Sequence, residues 1–175
     1  MPLAIFEINP IIGNQNLPKA EKMSADKKIL ELGLELPPAA KAVGVYKPAI
    51  TVDKMCYTSG HVPLLPDGSM IKGCVGKDAD QQAGFDAAKQ CGLAILATMK
   101  QHLGSLDKIK RVVKIVGMVN STADFEGHPS VINGCSELMK DVFGDDAGIG
   151  ARSAVGMSGL PLGVMVEIEA IFELE

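Results

Sequence analysis

The sequence predicts an α+β fold in which two helices cross one face of a mixed β-sheet. Three observations predict it. Residues 164–174 alternate apolar and polar without a break. Residues 109–119 form a run rich in β-branched side chains. Two segments with apolar residues at helical intervals flank that run, one on each side.

In chain order, residues 1–24 read as an N-terminal extension. Pro10, Pro18, Asn14 and Asn16 make it a loose arm. It lacks the basic region of a secretory signal and the arginines of a mitochondrial transit peptide. Residues 25–175 form the domain, which opens with a short helix over 25–36 ending near Gly33. Pro37-Pro38 stops that helix. Residues 45–52 are a broken extended stretch, and 54–61 a clearer strand. Asp53-Lys54 between them suits a hairpin. Pro66-Asp67-Gly68 is a turn, because proline presets φ and glycine accepts positive φ. A short strand over 69–73 follows.

The first long helix has Asp78 three residues before Gln81, a spacing that suits a capping box. Ala83, Ala87, Cys91, Ala94, Ile95 and Thr98 make one apolar face of small volume, so the helix can lie close to a sheet. Gly104 is its C-cap. The 109–119 run reads as a central strand buried on much of both faces. Pro129 suits the first position of the second helix. Val131, Cys135, Leu138 and Val142 face its core side, and Gly144 ends it. The last strand turns Val164, Val166, Ile168, Ala170, Phe172 and Leu174 to the helices, and Glu167, Glu169 and Glu173 away from them.

Composition narrows the function. The chain has 175 residues, 47% of them hydrophobic, which suffices for a core. The net charge is −4 and aromatics are 4%, with Lys108, Lys110, Arg111 and Lys114 as the nearest basic cluster. A nucleic-acid partner calls for a basic stripe and stacking aromatics, so this balance argues against one. No apolar run reaches the ~20 residues of a membrane span. Cys56, Cys74, Cys91 and Cys135 form no CxxC pair and no metal spacing with His61, His102 and His128. They read as free thiols of a reducing compartment, three of them in apolar contexts. The expected location is cytoplasmic, with the mitochondrion open.

Four segments resemble the RidA/YjgF family, and the resemblance runs from about residue 37 to 175. They are Val43-Gly44-Val45-Tyr46; Tyr57-Thr58-Ser59-Gly60-His61-Val62-Pro63; Val112-Val113-Lys114 with Val119-Asn120 and Asp124-Phe125; and Ala151-Arg152-Ser153-Ala154-Val155 with Leu160-Pro161 and Val166-Glu167-Ile168-Glu169-Ala170. The resemblance implies a chorismate-mutase-like fold and a homotrimer with a central barrel. It also implies small-molecule sites between subunits. The implied activity is hydrolysis of reactive 2-imino or 2-enamino acids to 2-keto acids and ammonia, with no cofactor and no metal. By the same resemblance Arg152 binds the substrate carboxylate and Glu167 holds the attacking water. Tyr46, Ser59, Gly60, Asn133, Ser153 and Ala154 complete the substrate site.

The residues suit that chemistry. A planar guanidinium grips a carboxylate bidentately. An imine is already electrophilic, so orientation and one placed water suffice. The chain departs from the family at three places. Ala154 stands where the deaminases often carry cysteine, His61 stands where they carry glutamine, and the loop between Phe125 and Asn133 is longer. These mark a divergent branch. They also keep two rivals open: a trimer that binds a small carboxylate without turnover, and the ribonuclease of the family's older label. His61 has the chemistry of a general base, although a lone histidine beside a turn is more often incidental.

Overall fold

The computed structural model describes residues 24–175. The extension assigned to residues 1–24 lies outside the described residues except for Ser24, which belongs to the fold. Its side chain caps helix α1 (Ala25–Glu31) by accepting the Lys27 N–H, and it donates to the Asp107 carboxylate at 2.9 Å. The helix expected over 25–36 therefore stops at Glu31, with Gly33 in the left-handed turn behind it.

Strands β1 (Ala49–Val52) and β2 (Met55–Thr58) form the expected hairpin about Asp53-Lys54. Asp53 takes a left-handed φ of 52°, which aspartate tolerates. Both strands are shorter than expected. The strand expected over 69–73 is absent as such. Met70 and Lys72 make isolated bridges to Leu64 and Val164, which lie in loops and offer no continuous edge. The turn before it holds, with Gly68 at φ 84°.

Helix α2 (Gln81–Leu103) is capped by Asp80, not Asp78. Asp80 accepts the Ala83 N–H at 2.8 Å, whereas Asp78 is taken by the Cys74 N–H. Gly104 ends the helix in the left-handed region as expected. A 3₁₀ turn, Leu106–Lys108, leads into β3 (Ile109–Asn120). Helix α3 (His128–Ala147) breaks its geometry at Gly144, and β4 (Ala151–Met157) and β5 (Val166–Leu174) complete the chain.

The sheet order is β1-β2-β5-β3-β4. Only β3 and β4 are parallel, joined through α3; the other neighbours are antiparallel. Helices α2 and α3 cover one face, and Phe172, Ile168, Val166, Val112, Ile115 and Val119 pack beneath them. The outer face is only partly closed. Val113, Val116 and Met118 are half-buried, so β3 is central but not buried on both faces. Ile50, Val52, Tyr57, Val155 and Met157 are exposed.

Helix α2 lies close against both α3 and β5 because its inner residues are small. Its Cys91 thiol lies 3.5 Å from the Val166 carbonyl. Burial pushes the thiols of Cys91 and Cys56 up, and that of Cys135 to about 12, so these three are packing groups rather than nucleophiles.

Candidate active site

Register decides where the predicted residues point. Arg152 pairs with Ile115 on β3, and Glu167 pairs with Met118. Ile115 faces the helices and Met118 the open side, so Arg152 and Glu167 leave opposite faces of one sheet. Ser153 pairs with Val116 and shares the open face with Glu167. Its hydroxyl accepts from the Lys114 ammonium at 2.8 Å. Ala154 pairs with Gly117 and packs against the core.

On the helix side, Arg152 sits in a pocket of about 250 Å³ beside Asn133, Ser136 and Lys140. One guanidinium nitrogen, Nη1, donates to Asn133 Oδ1 at 2.7 Å and to Ser136 Oγ at 3.1 Å. These two bonds use both protons of Nη1 and leave Nη2 and Nε to a ligand. Ser136 escaped the sequence reading. It lies three residues after Asn133, one turn on along the same helix face, and that spacing could have found it.

The other predicted residues meet in a cleft of about 520 Å³. Tyr46, Ser59, Gly60 and Glu167 line it, with an apolar wall of Val43, Val62, Leu64 and Met70. Ser59 donates to the Lys47 carbonyl at 2.7 Å and so ties down the segment carrying Tyr46. The Glu167 carboxyl lies against Gly60, so a Cβ at that position would push the carboxyl out of its present place. Burial, and then the neighbouring Glu169 charge, raises the Glu167 pKa above the usual carboxylate value. A carboxyl shifted this way can exchange a proton nearer neutral pH.

One cleft, built from Tyr46, the Ser59-Gly60 corner and Glu167, therefore brings together residues from three of the four segments that carried the resemblance, while Arg152 stands across the sheet. The family model described as "YjgF/chorismate_mutase-like, putative endoribonuclease" matches residues 26–174. The chain belongs to the YjgF family. Protein TCP17 of Trypanosoma cruzi is 38% identical over 143 residues, covering 82% of this chain and 89% of that protein. The human 2-iminobutanoate/2-iminopropanoate deaminase is 30% identical over 134 residues, covering 76% and 82%. Among solved structures, the protein Atu1372 of Agrobacterium tumefaciens superposes with a TM-score of 0.79 at 38% identity, covering 87% of this chain and 94% of that one. The fold is thus the chorismate-mutase-like arrangement of the YjgF family.

In this YjgF-family chain His61 is structural. It is 2% exposed. Its ring Nδ1 lies 2.7 Å from the Ser59 carbonyl, which can only accept, so Nδ1 carries the proton. Nε2 then accepts from the Thr98 hydroxyl at 2.8 Å, and that oxygen accepts the Ala40 N–H at 3.4 Å. Its backbone also pairs both ways with Ile168. His61 thus fastens the Ser59-Gly60 corner to α2 and β5, with neither ring nitrogen left for chemistry. Among the described residues no cluster of three His, Cys, Asp or Glu side chains is arranged to hold a metal ion.

Burial lowers the His61 pKa below its ordinary 6.5, partly offset by the Ser59 bond. The unfolded chain therefore binds a proton that the folded chain refuses. This contribution to stability is present above about pH 6.5 and is lost as pH falls. Glu167 acts in the opposite sense: its raised pKa favours the folded state at low pH and loses that contribution as pH rises through the folded value. In urea unfolding between about pH 5 and pH 8, read by circular dichroism, His61 should add a positive slope of stability against pH, which Glu167 opposes. His61→Gln keeps a donor and an acceptor and should flatten that slope. An unchanged slope in the variant would remove His61 as its source.

Proposed function

We propose that the protein is a homotrimeric hydrolase that converts 2-imino and 2-enamino acids to 2-keto acids and ammonia, at sites formed between neighbouring copies. The observation that carries this reading is Arg152. Its guanidinium is partly buried and held by two neutral oxygens. No carboxylate pairs with it among the described residues, whereas the chain's other arginine, Arg111, has two, Asp146 and Glu173. A buried-edge cation oriented in this way wants an anion, and the family's named deaminase acts on 2-imino acids, which carry one carboxylate.

Arg152 cannot serve Glu167 of its own chain. The two are separated by two strand spacings and three residues along β3, roughly 14 Å between Cα atoms, and they point away from each other. A second copy that brings its Arg152 to this cleft completes the site. The exposed apolar outer face of the sheet is what such a ring would cover.

In the assembled site Arg152 holds the carboxylate, and Tyr46 and the Ser59-Gly60 corner shape the cleft. Glu167 takes a proton from water as the water oxygen bonds to the imine carbon. Returning that proton to nitrogen gives the carbinolamine; Glu167 then carries the hydroxyl proton to the same nitrogen, so that the C–N bond breaks as C=O forms, ammonia leaves, and the 2-keto acid remains. No electrons are exchanged, and the step requires no redox partner.

A second reading, a carboxylate-binding trimer without turnover, is favoured by the commitment of Ser59 and His61 to structural bonds, which leaves Glu167 to move every proton. The ribonuclease reading is opposed by the net charge of −4. The deciding experiment generates 2-imino acids with an amino-acid oxidase and traps the survivors with semicarbazide. Added protein should lower the trapped amount. Binding of 2-keto acids with undiminished trapping would select the second reading. Sedimentation should give three times the chain mass of 18.4 kDa, and a monomer at micromolar concentration would remove the shared site.

A further inference from the structure

The loop between β4 and β5 holds an exposed leucine in a left-handed turn, closed by the Gly163 N–H donating to the Leu160 carbonyl at 3.1 Å and the Val164 N–H donating to the Pro161 carbonyl at 3.2 Å. Pro161–Gly163 forms a 3₁₀ turn, and within it Leu162 sits at φ 59°, ψ 9°. This left-handed region is sterically disfavoured for leucine. The other non-glycine residue with positive φ among those described is Asp53, an aspartate in a hairpin turn, where the conformation is ordinary. The next residue, Gly163 at φ 70°, is the glycine such a turn favours; Leu162 is not.

The conformation does not bury the side chain. Leu162 is 68% exposed and lies outside the hydrophobic core. It stands at the rim of the Glu167 cleft, facing the same space as Val43, Val62, Leu64 and Met70. Val43 is 93% exposed, so the rim presents apolar groups to water from both sides. Of the polar side chains that line the cleft, Tyr46, Ser59 and Glu167 are already given to the reacting end and His61 to packing, and Lys41 is the one charged group beside the apolar rim. A methyl side chain would leave most of this wall in water.

We propose that Leu162 is a specificity-determining residue that packs on the ligand's side chain, so that the cleft selects 2-imino acids with branched or aromatic apolar side chains over those of alanine or serine. This rests on the reading of the cleft as a site for 2-imino acids. The left-handed turn holds the leucine over the cleft in advance, and contact with the ligand gives the exposed side chain its partner.

The test uses the full-length protein and two stable product analogues, pyruvate and 4-methyl-2-oxopentanoate, in calorimetric titration. Wild type should bind the branched acid more tightly by about tenfold or more. Leu162→Gly removes the side chain at a position whose φ suits glycine, so its Tm should equal or exceed that of wild type. Its ratio of the two Kd values should shrink to about threefold or less. The proposal is overturned if wild type shows no preference or binds neither acid. It is equally overturned if the variant weakens both in parallel, or if the variant sediments as a smaller species, which would make Leu162 a contact between copies. Preference without imine turnover would sink the hydrolase reading and leave Leu162 in place. Turnover without preference would do the reverse.

Discussion

Arg152→Ala should lower kcat/KM for a 2-imino acid by about 10²–10³-fold and leave the chain folded. The guanidinium bonds only to Asn133 and Ser136. Removing it leaves two neutral oxygens that water can reach, which costs about 1 kcal/mol of stability. The carboxylate of the ligand would lose its charged partner altogether. Arg152→Lys keeps the charge but not the planar two-pronged donor, and should fall between the two. Ser136→Ala frees one proton of Nη1 and should raise KM more than it lowers kcat. Steady-state kinetics with circular dichroism of each variant checks the set. Unchanged turnover in Arg152→Ala would end its assignment as the carboxylate anchor. The same assay across pH reads Glu167. It must be ionised to accept a proton, and its pKa is raised, so the acid limb of kcat/KM should lie above that of an ordinary glutamate. Glu167→Gln should remove most of the turnover and that limb with it.

Gly134→Ala should destabilise the fold by about 3 kcal/mol and lower Tm by roughly 6–12 °C. A Cβ there would lie 2.0 Å from the Phe85 carbonyl oxygen and 3.0 Å from the Lys89 nitrogen. Both are backbone atoms of α2, so no side chain can swing aside and the two helices must separate. Gly84 against Val131, and Gly92 against Leu138 and Cys135, make the same close approach one face along. The displacement would carry Asn133 and Ser136 away from Arg152, so affinity for the carboxylate should fall together with stability. Gly159→Ala is the control. It has open space around its would-be Cβ and should melt with wild type. A Gly134→Ala protein melting within about 2 °C of wild type would contradict the close helix contact.

Much of this architecture was legible in the chain. The alternation of Val166, Ile168, Ala170 and Phe172 with Glu167, Glu169 and Glu173 is a local period of two, and the structure buries that set and opens the other. Gly104 ends α2, and Gly144 breaks α3 three residues before its end, because the chain at both needs positive φ. The family could be read from short motifs, because residue types and their spacing survive in sequence. The local rules failed where two candidates satisfied them equally. Asp78 and Asp80 both suit a helix cap, and the Cys74 N–H, which claims Asp78, breaks the tie. Residues 69–73 had strand composition but found only isolated loop partners.

Candidate site residues could be named from sequence, but their arrangement could not. Arg152 and Glu167 are separated by an odd number of steps along β3, so the pleat sends them to opposite faces. His61 was a base or a bystander until Thr98, 37 residues away on α2, took one ring nitrogen and the Ser59 carbonyl took the other. The strained φ of Leu162 has no composition signal, because leucine rarely adopts it by preference. By itself the sequence determined the elements, the family and the chemical vocabulary of the site, since these follow from local periodicity and residue identity. Only the tertiary structure decided which side chains share a cleft, which are locked into packing and which wait for a partner, because strand register and helix approach depend on atoms far apart in the chain.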